Sequence, residues 1–177
     1  YFYKKNNFAS DILQKSHDRL KKYLDDLNLS SNNNDLDIEE LLILASIVEK
    51  EAGNNDEKKL IAGVFLSRLE EKMRLQADPT IIYGLLPNFD GDIKKSNILD
   101  RNNKYNTYMI KGLPPSPIAI SSLSSIDAVF KGKPGEFLYF VADSKTTHYF
   151  SKTYQEHLKK IEELGLNKWR LLALKEL

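Results

Sequence analysis

The sequence contains no cysteine in its 177 residues. Without thiol groups the chain can form neither a disulfide framework nor a thiolate metal site. The few histidines lie on unrelated segments and outside any His-Glu-x-x-His pattern, so we recognise no zinc-ligand set at His17, His148 and His157. We therefore predict that the protein uses no metal and no cofactor.

Neither sign of charge is in excess, because 26 basic residues nearly balance 25 acidic ones to give a formal net charge of +1. Proteins that recognise phosphates usually carry a basic stripe, so a nucleic acid is a disfavoured partner. A glycine-rich phosphate loop and a nucleophile elbow are also missing, which disfavours nucleotide and serine chemistry. The balanced charge does not disfavour a polymeric partner that itself carries little charge.

Long hydrophobic runs are absent as well. The longest, residues 41–48, is far shorter than the roughly 20 apolar residues that span a bilayer. No basic segment followed by an apolar one opens the chain, which begins at Tyr1 without an initiator methionine. We interpret the chain as a soluble piece of a longer protein, whose preceding part is the candidate for a membrane anchor.

Apolar periodicity predicts several helices. One spans residues 8–27, and a strongly apolar one begins after Asp37, which forms a capping-box pattern with Glu40. The following helix buries a stripe within residues 60–69 and is predicted to expose Arg68 with its charged neighbours. A second capping-box pattern opens another helix after Thr153.

A hairpin is predicted near the end of the chain. Residues 137–142 are aromatic and β-branched enough for a buried core strand, and a turn at residues 143–145 pairs it with residues 148–150. Strands and helices do not alternate as βαβ units. The sequence therefore predicts an α+β fold: a mainly helical single domain with one small antiparallel sheet.

The middle of the chain predicts less regular structure. Asp78 is a plausible N-cap for a short helix that starts at Pro79, and residues 87–104 are typical of irregular surface. Three prolines within residues 114–117 predict a stiff, ordered loop. Ser124 and Asp127 predict another short helix.

Two carboxylates, Glu49 and Glu51, lie at the end of the apolar helix. At 100° per residue Glu51 projects between Leu44 and Ile47, whereas Lys50 faces away from most apolar residues. A carboxyl flanked by aliphatic side chains is poorly solvated as an anion, so its pKa should rise and suit a general acid. From this segment alone, a solvated rim that merely ends the helix explains both glutamates equally well.

Glycoside cleavage uses a protonated carboxyl together with polar and aromatic groups that hold sugars. One glutamate suffices, first as acid and then as base, when the substrate supplies its own nucleophile. The candidate substrate-binding residues are Glu49, Gln76, Thr80, Tyr105, Asn106, Tyr108 and His148. The structural alternatives are helix capping near Pro79, buried tyrosines with satisfied hydroxyls, and a histidine that only completes a hairpin face.

Several ordered motifs between residues 41 and 157 resemble the endolytic murein transglycosylases, or YceG-like proteins. They are LASIVEKE at 44–51, VFLSRL at 64–69, MRLQADPTIIYG at 73–84, YNTY at 105–108, GLPP at 112–115 and YFVAD at 139–143. The resemblance implies a lyase that cuts the MurNAc–GlcNAc bond inside nascent peptidoglycan strands and leaves 1,6-anhydro-MurNAc ends without adding water.

The resemblance also implies a single catalytic glutamate on a lysozyme-like helix. We assign it to Glu51, because Ala52 follows it where related transglycosylases have another small residue, and Glu49 is the fallback. Two departures from the family pattern are Ile120-Ser121-Ser122 in place of Pro-Gly and Leu158 in place of Asn. These departures weaken any claim for a functional role at positions 121, 122 and 158.

The resemblance further implies how the chain is organised. Residues 1–36 would connect to a missing LysM-like, membrane-anchored part, residues 37–165 would form the catalytic domain, and residues 166–177 a C-terminal helix. The catalytic part would face outward from the cell membrane and act on peptidoglycan, with penicillin-binding proteins as implied partners. A non-catalytic glycan-binding module and a muramidase-type hydrolase remain the alternatives.

Overall fold

The structure, a computed structural model, describes residues 8–27 and 34–166. The chain divides into two compact units, residues 1–32 and 33–177. In the first unit the described residues form one helix, α1 (Ala9–Asp26), close to the predicted span. The C-terminal helix predicted over residues 166–177 lies almost entirely outside the described residues.

The second unit confirms the predicted α+β class. Its helices are α2 (Ile38–Glu51), α3 (Lys58–Glu70), α4 (Asp78–Leu85), α5 (Lys95–Ile98), α6 (Leu123–Phe130) and α7 (Tyr154–Glu163). Between α6 and α7 lie the strands β1 (Tyr139–Ala142) and β2 (His148–Ser151). None of the helices in residues 8–27 and 34–166 has the length and hydrophobicity that a bilayer span requires.

Helix α2 is the centre of this unit and packs against α3, α4 and α6. Its predicted capping box is confirmed: Glu40 N–H donates to Asp37 Oδ1 at 2.9 Å, and Asp37 N–H donates to Glu40 Oε2 at 3.2 Å. Farther along the helix, the buried Ser46 hydroxyl accepts from Ile118 N–H at 2.9 Å. This bond connects the proline-rich loop, which was predicted to be stiff, to the buried helix α2.

Two predicted helix starts are wrong. Ala77, not Asp78, is the N-cap of α4, and Asp78 is the first helical residue. Helix α6 begins after Ser122 rather than at Ser124, although position 122 departs from the family pattern. In addition, the stretch predicted as irregular contains the short helix α5.

The predicted hairpin is confirmed, with β1 and β2 antiparallel and Tyr139 opposite Ser151. The expectation that the first strand is fully buried in the core is wrong, since residues 139–141 are only half-buried. A two-stranded sheet has few neighbours to cover it. One contact with α3 is the Phe140 ring, which lies edge-on to Phe65 with the centroids 5.7 Å apart.

The Glu49 carboxylate joins three helices at one point. Its Oε2 atom accepts from Lys58 Nζ at 3.1 Å, from Ser122 N–H at 3.1 Å and Oγ at 2.6 Å, and from Ser125 Oγ. Burial would raise the pKa of Glu49, but the hydrogen bonds from Ser122, Ser125 and Lys58 outweigh it and lower the pKa to about 2. These bonds hold the end of α2 against the starts of α3 and α6.

Replacing Glu49 with alanine should lower the free energy of unfolding by about 3 kcal/mol at pH 7, since one partner of a mostly buried ion pair is lost. Lys58, whose side chain is 7% exposed, would keep only serine hydroxyls. Urea denaturation measures the change, with Glu39→Ala, an exposed glutamate of the same helix, as control. A loss no larger than that of the control would contradict this role.

Candidate active site

Glu51 is the last residue of α2 and keeps a partly exposed surface. As the helical wheel predicted, Lys50 faces solvent and Glu51 is the less exposed of the two. The backbone leaves the helix at Ala52 in an extended conformation. The carboxyl therefore lies where a buried helix ends and loop segments begin.

The environment of Glu51 favours its neutral form. Burial raises the pKa of the carboxyl to about 8, the negative charge of Asp78 adds to the rise, and the positive charge of Arg68 opposes it. This is the direction predicted from its aliphatic neighbours. At neutral pH the carboxyl holds its proton and can donate it.

Arg68, whose charge opposes the rise in the pKa of Glu51, is only 6% exposed. The prediction that Arg68 is exposed on α3 is wrong. Its Nε donates to the Leu138 carbonyl at 2.7 Å and its Nη1 to the Leu75 carbonyl at 2.6 Å. The guanidinium lies 5.4 Å from the centre of the Tyr139 ring. Arg68 thus connects α3 to the segments that precede α4 and β1. The burial of Arg68 was not predicted, because apolar periodicity does not reveal backbone acceptors far along the chain.

The segment before α4 has an unusual backbone conformation at Gln76. Its φ of +52° is in the left-handed region, which is uncommon for a residue with a side chain and is frequent at functional sites. Gln76 N–H donates to the Thr107 carbonyl at 3.1 Å, and Ala77 N–H donates to Thr107 Oγ1 at 2.9 Å. The 105–108 loop therefore holds this turn in place, and the Gln76 side chain remains partly exposed.

Thr80 lies behind this turn and has no exposed surface. Its hydroxyl donates to the Ala77 carbonyl at 2.6 Å and is 2.8 Å from Thr107 Oγ1. These bonds make Thr80 a brace between α4 and the loop. A direct contact between Thr80 and a substrate stays an untested prediction.

Tyr108 connects the loop to Asp78. Its hydroxyl donates to Asp78 Oδ1 at 2.7 Å, and the residue is 8% exposed. The Tyr105 hydroxyl is 2.8 Å from Ser116 Oγ, and its ring lies edge-on to Tyr83. Tyr105 is thus positioned between α4 and the proline-rich loop, with part of its surface exposed.

Asn106 is fully buried and organises the loop from inside. Its Nδ2 donates to the carbonyls of Asn97, Ile98 and Asp100 at 2.9 to 3.1 Å, and its Oδ1 accepts from Tyr108 N–H. These contacts make it a support for Tyr108. The structure presents no Asn106 surface to a ligand. The predicted contact of Asn106 with substrate stays a prediction.

His148 is the first residue of β2, with its Nδ1 3.0 Å from Glu57 Oε2 and its backbone N–H donating to Glu57 Oε1 at 2.8 Å. The turn of the hairpin contacts the segment that follows Glu51. Asn54 Nδ2 donates to the Thr146 carbonyl at 2.6 Å, and a Cβ at Gly53 would be 2.7 Å from the same oxygen. The hairpin is thereby held close to the end of α2.

Glu51, Arg68, Asp78 and Tyr108 thus form one electrostatic group beside the turn at Gln76, because the charges of Asp78 and Arg68 act on Glu51 and the Tyr108 hydroxyl binds Asp78. Glu49, two residues from Glu51, is engaged in its own network with α3 and α6. The assignments of Glu51 to catalysis and of the seven other residues to substrate binding remain predictions. Arg68 and Ser122 are additions that sequence reasoning did not make.

Two other features bear on ligands. In the described ranges 8–27 and 34–166, no three His, Asp or Glu side chains group in a way that could hold a metal ion. A cavity of about 430 Å³ lies at the opposite end of α2, lined in part by Leu36, Ile43, Leu69 and Pro114. It is separate from the Glu51 group.

Comparison with known proteins identifies the family. The YceG-like family pattern matches residues 1–163. The chain belongs to the YceG-like family. The resemblance noted in the sequence motifs is therefore confirmed for nearly the whole chain.

Relatives with assigned names include the endolytic murein transglycosylase of Bacillus subtilis, which is 35% identical over 153 residues, covering 86% of this chain and 42% of the relative. The endolytic murein transglycosylase of Streptococcus pneumoniae serotype 2 is 30% identical over 169 residues, covering 92% of this chain and 30% of the relative. This YceG-like chain thus spans less than half the length of these two relatives.

A crystal structure of a YceG-like protein from Listeria monocytogenes superimposes on this chain with a TM-score of 0.72 and 34% identity. The match covers 90% of this chain and 51% of the crystallised one. At this identity the likeness supports both the fold and the family. The α+β architecture is therefore that of a YceG-like protein.

The raised pKa of Glu51 predicts how the stability of the protein depends on pH. The folded state holds this proton more tightly than the unfolded chain, so the stabilisation is complete below about pH 4.5 and is lost as the pH rises through about 8. A difference of this size corresponds to several kcal/mol, at about 1.4 kcal/mol per pH unit. Glu51→Gln should remove this dependence and be more stable than the wild type at about pH 9.

Urea denaturation of both proteins at several pH values between about 5 and 9 measures this effect. Glu39→Gln, at an exposed position on the same helix, controls for the loss of a carboxylate. Parallel stability curves for the wild type and Glu51→Gln would show that the carboxyl is not held in its neutral form.

Proposed function

We propose that this YceG-like chain carries the catalytic part of an endolytic peptidoglycan transglycosylase, with Glu51 as the only acid and base. The observation that supports it is the Glu51 carboxyl, whose pKa of about 8 keeps a proton available at neutral pH. The names of the relatives from Bacillus subtilis and Streptococcus pneumoniae supply the reaction class. The substrate would be the glycan strand of peptidoglycan.

The reaction needs one proton donor and no water. The Glu51 O–H donates its proton to the glycosidic oxygen between MurNAc and GlcNAc, and the bond from C1 of MurNAc to that oxygen breaks. An oxocarbenium-like centre develops at C1. The C6 hydroxyl of the same MurNAc then attacks C1 and gives its proton to the Glu51 carboxylate, which closes the 1,6-anhydro ring and restores the acid.

The two neighbouring glutamates differ in their ability to start this reaction. Glu49 has a pKa of about 2 and is fully ionised at neutral pH, with its Oε2 engaged by Lys58 and two serines. Glu51 has the opposite shift. These states favour Glu51 over Glu49 as the general acid.

The cellular setting is part of the proposal. Peptidoglycan lies outside the cell membrane, so residues 37–165 would act at the extracytoplasmic face, joined through residues 1–36 to a LysM-like and membrane-anchored part of a longer protein. Penicillin-binding proteins that synthesise the glycan strands are the proposed partners. Neither a nucleic acid nor a cofactor has a place in the scheme.

Replacing Glu51 with glutamine should reduce release of fragments from purified peptidoglycan by at least about 100-fold, because the amide donates no acidic proton. Mass spectrometry of the soluble products measures the release and identifies their ends. The wild type should yield anhydro-muropeptides.

Glu39→Gln, at an exposed position on the same helix, should keep full activity. Persistent cleavage by Glu51→Gln would contradict the catalytic assignment. Binding of peptidoglycan by the wild type without any release would indicate the non-catalytic glycan-binding module instead.

A further inference from the structure

A carboxylate–imidazole pair lies between the hairpin and the start of α3, and the proposed reaction makes no use of it. Glu57, the N-cap of α3, accepts the backbone N–H of His148 with Oε1 at 2.8 Å, and its Oε2 is 3.0 Å from His148 Nδ1. The side chains of Glu57 and His148 are only 12% and 11% exposed. Both oxygens of one largely buried carboxylate therefore hold a single histidine.

The Glu57 carboxylate decides which ring nitrogen of His148 carries the hydrogen. A carboxylate oxygen only accepts hydrogen bonds, so Nδ1, which faces Oε2, carries the hydrogen and donates it. In a neutral imidazole the other nitrogen, Nε2, is then an acceptor. Within residues 8–27 and 34–166, Nε2 has no hydrogen-bond partner, and it is not one of the polar atoms that the protein encloses. His148 thus presents an unused acceptor to solvent.

Packing and hydrogen bonds fix the orientation of this imidazole. The ring lies edge-on to Phe140 with the centroids 5.4 Å apart, and tilted against Phe150 at 6.4 Å. The backbone N–H of Glu57 donates to Asn54 Oδ1 at 3.1 Å, while Asn54 Nδ2 donates to the Thr146 carbonyl at 2.6 Å. Because carboxylate and ring are both held, Nε2 is preorganised for a ligand.

The same contacts place the pair close to the proposed acid. Gly53, two residues after Glu51, is so near the hairpin turn that an added Cβ would lie 2.8 Å from Thr146 Cα, and His148 follows Thr146 by two residues. Two residues of chain span at most about 7 Å, so the Cα atoms of Glu51 and His148 lie within about 19 Å of each other. A polymeric glycan bound at Glu51 can extend to the hairpin.

The chemistry of the pair fits a neutral hydrogen-bond donor. The free Nε2 accepts from a hydroxyl or an amide N–H, whereas the negative charge of Glu57 repels anions. Within the described parts of the chain, no third His, Asp or Glu side chain joins the pair to complete a metal site. The sugars of a glycan strand carry both kinds of donor, as hydroxyls and as N-acetyl N–H groups.

We propose that Glu57 and His148 form a substrate-binding pair, in which Glu57 fixes the tautomer and His148 Nε2 accepts a hydrogen bond from a hydroxyl or N-acetyl N–H of the glycan strand. The choice of ligand rests on the proposed function. The structural alternative is a pair that only connects the hairpin to α3.

The first test is ¹⁵N NMR of the ring nitrogens in protein labelled at its three histidines, with His148→Asn used to assign the signals. At about pH 8, His148 should carry its hydrogen on Nδ1 and none on Nε2. Soluble oligosaccharides of alternating GlcNAc and MurNAc, added to Glu51→Gln so that they stay uncut, should shift the Nε2 signal. A hydrogen on Nε2, or an Nε2 signal that the oligosaccharides do not move, overturns the proposal.

Two further substitutions in the Glu51→Gln protein separate glycan binding from a purely structural role. Glu57→Gln keeps an oxygen for the His148 N–H but turns its amide N–H toward Nδ1, so the ring hydrogen moves to Nε2. His148→Asn keeps a donor for Glu57 and has no atom in the place of Nε2. Each should weaken oligosaccharide binding about tenfold in calorimetry, the effect of one hydrogen bond. Unchanged affinity in either variant that folds would leave the pair a purely structural role.

Glu136→Gln is the matched control, because it removes a carboxylate that pairs with Lys152 at the open end of the hairpin. Its affinity should equal that of the parent protein. With Glu51 intact, Glu57→Gln and His148→Asn should each raise KM for peptidoglycan cleavage about tenfold and change kcat little, since the contact is made before and during the reaction.

The outcomes for the pair and for the reaction are separable. If the wild type cuts no peptidoglycan while both substitutions weaken oligosaccharide binding, the proposed reaction fails and the binding pair stands. If cleavage proceeds with KM unchanged in both variants, the binding pair fails and the proposed reaction stands.

Discussion

The hydrogen bonds that converge on the Glu49 carboxylate are the constraint on which the rest of the site depends. Lys58, Ser122 and Ser125 all donate to its Oε2 atom, so the last turn of α2 is fixed against α3 and α6. Glu51 follows two residues later, about 200° further around the helix. Because the hydrogen bonds fix the orientation of Glu49, the Glu51 side chain lies in a different environment.

The two carboxylates acquire opposite properties from these environments. Glu49 is surrounded by donors and has a pKa of about 2, whereas burial and the Asp78 charge raise the pKa of Glu51 to about 8. Pairs of carboxyl groups whose pKa values are pushed apart are a recurrent way to divide structural and catalytic tasks. In this YceG-like chain the two pKa values are pushed apart between residues only two positions apart.

Local signals in the sequence were sufficient for the longer helices and the hairpin, but not for the short helix α5 or for the starts of α4 and α6. The capping box at Asp37 and the apolar, aromatic run before the hairpin lie within a few residues of the structure they predict. Arg68 was misplaced because its acceptors, the carbonyls of Leu75 and Leu138, lie 7 and 70 residues away. The choice between Glu49 and Glu51 needed the resemblance, since the Ser122 and Ser125 donors lie 73 and 76 residues from Glu49.

In the proposed reaction Glu51 transfers a proton without activating water. Digestion of peptidoglycan by the protein in H₂¹⁸O, followed by mass spectrometry, shows whether water takes part. We expect anhydro-muropeptide ends that contain no ¹⁸O, because the new bond at C1 is made by the sugar's own C6 oxygen. Reducing MurNAc ends that carry ¹⁸O would show that water is the nucleophile and would contradict the proposed reaction.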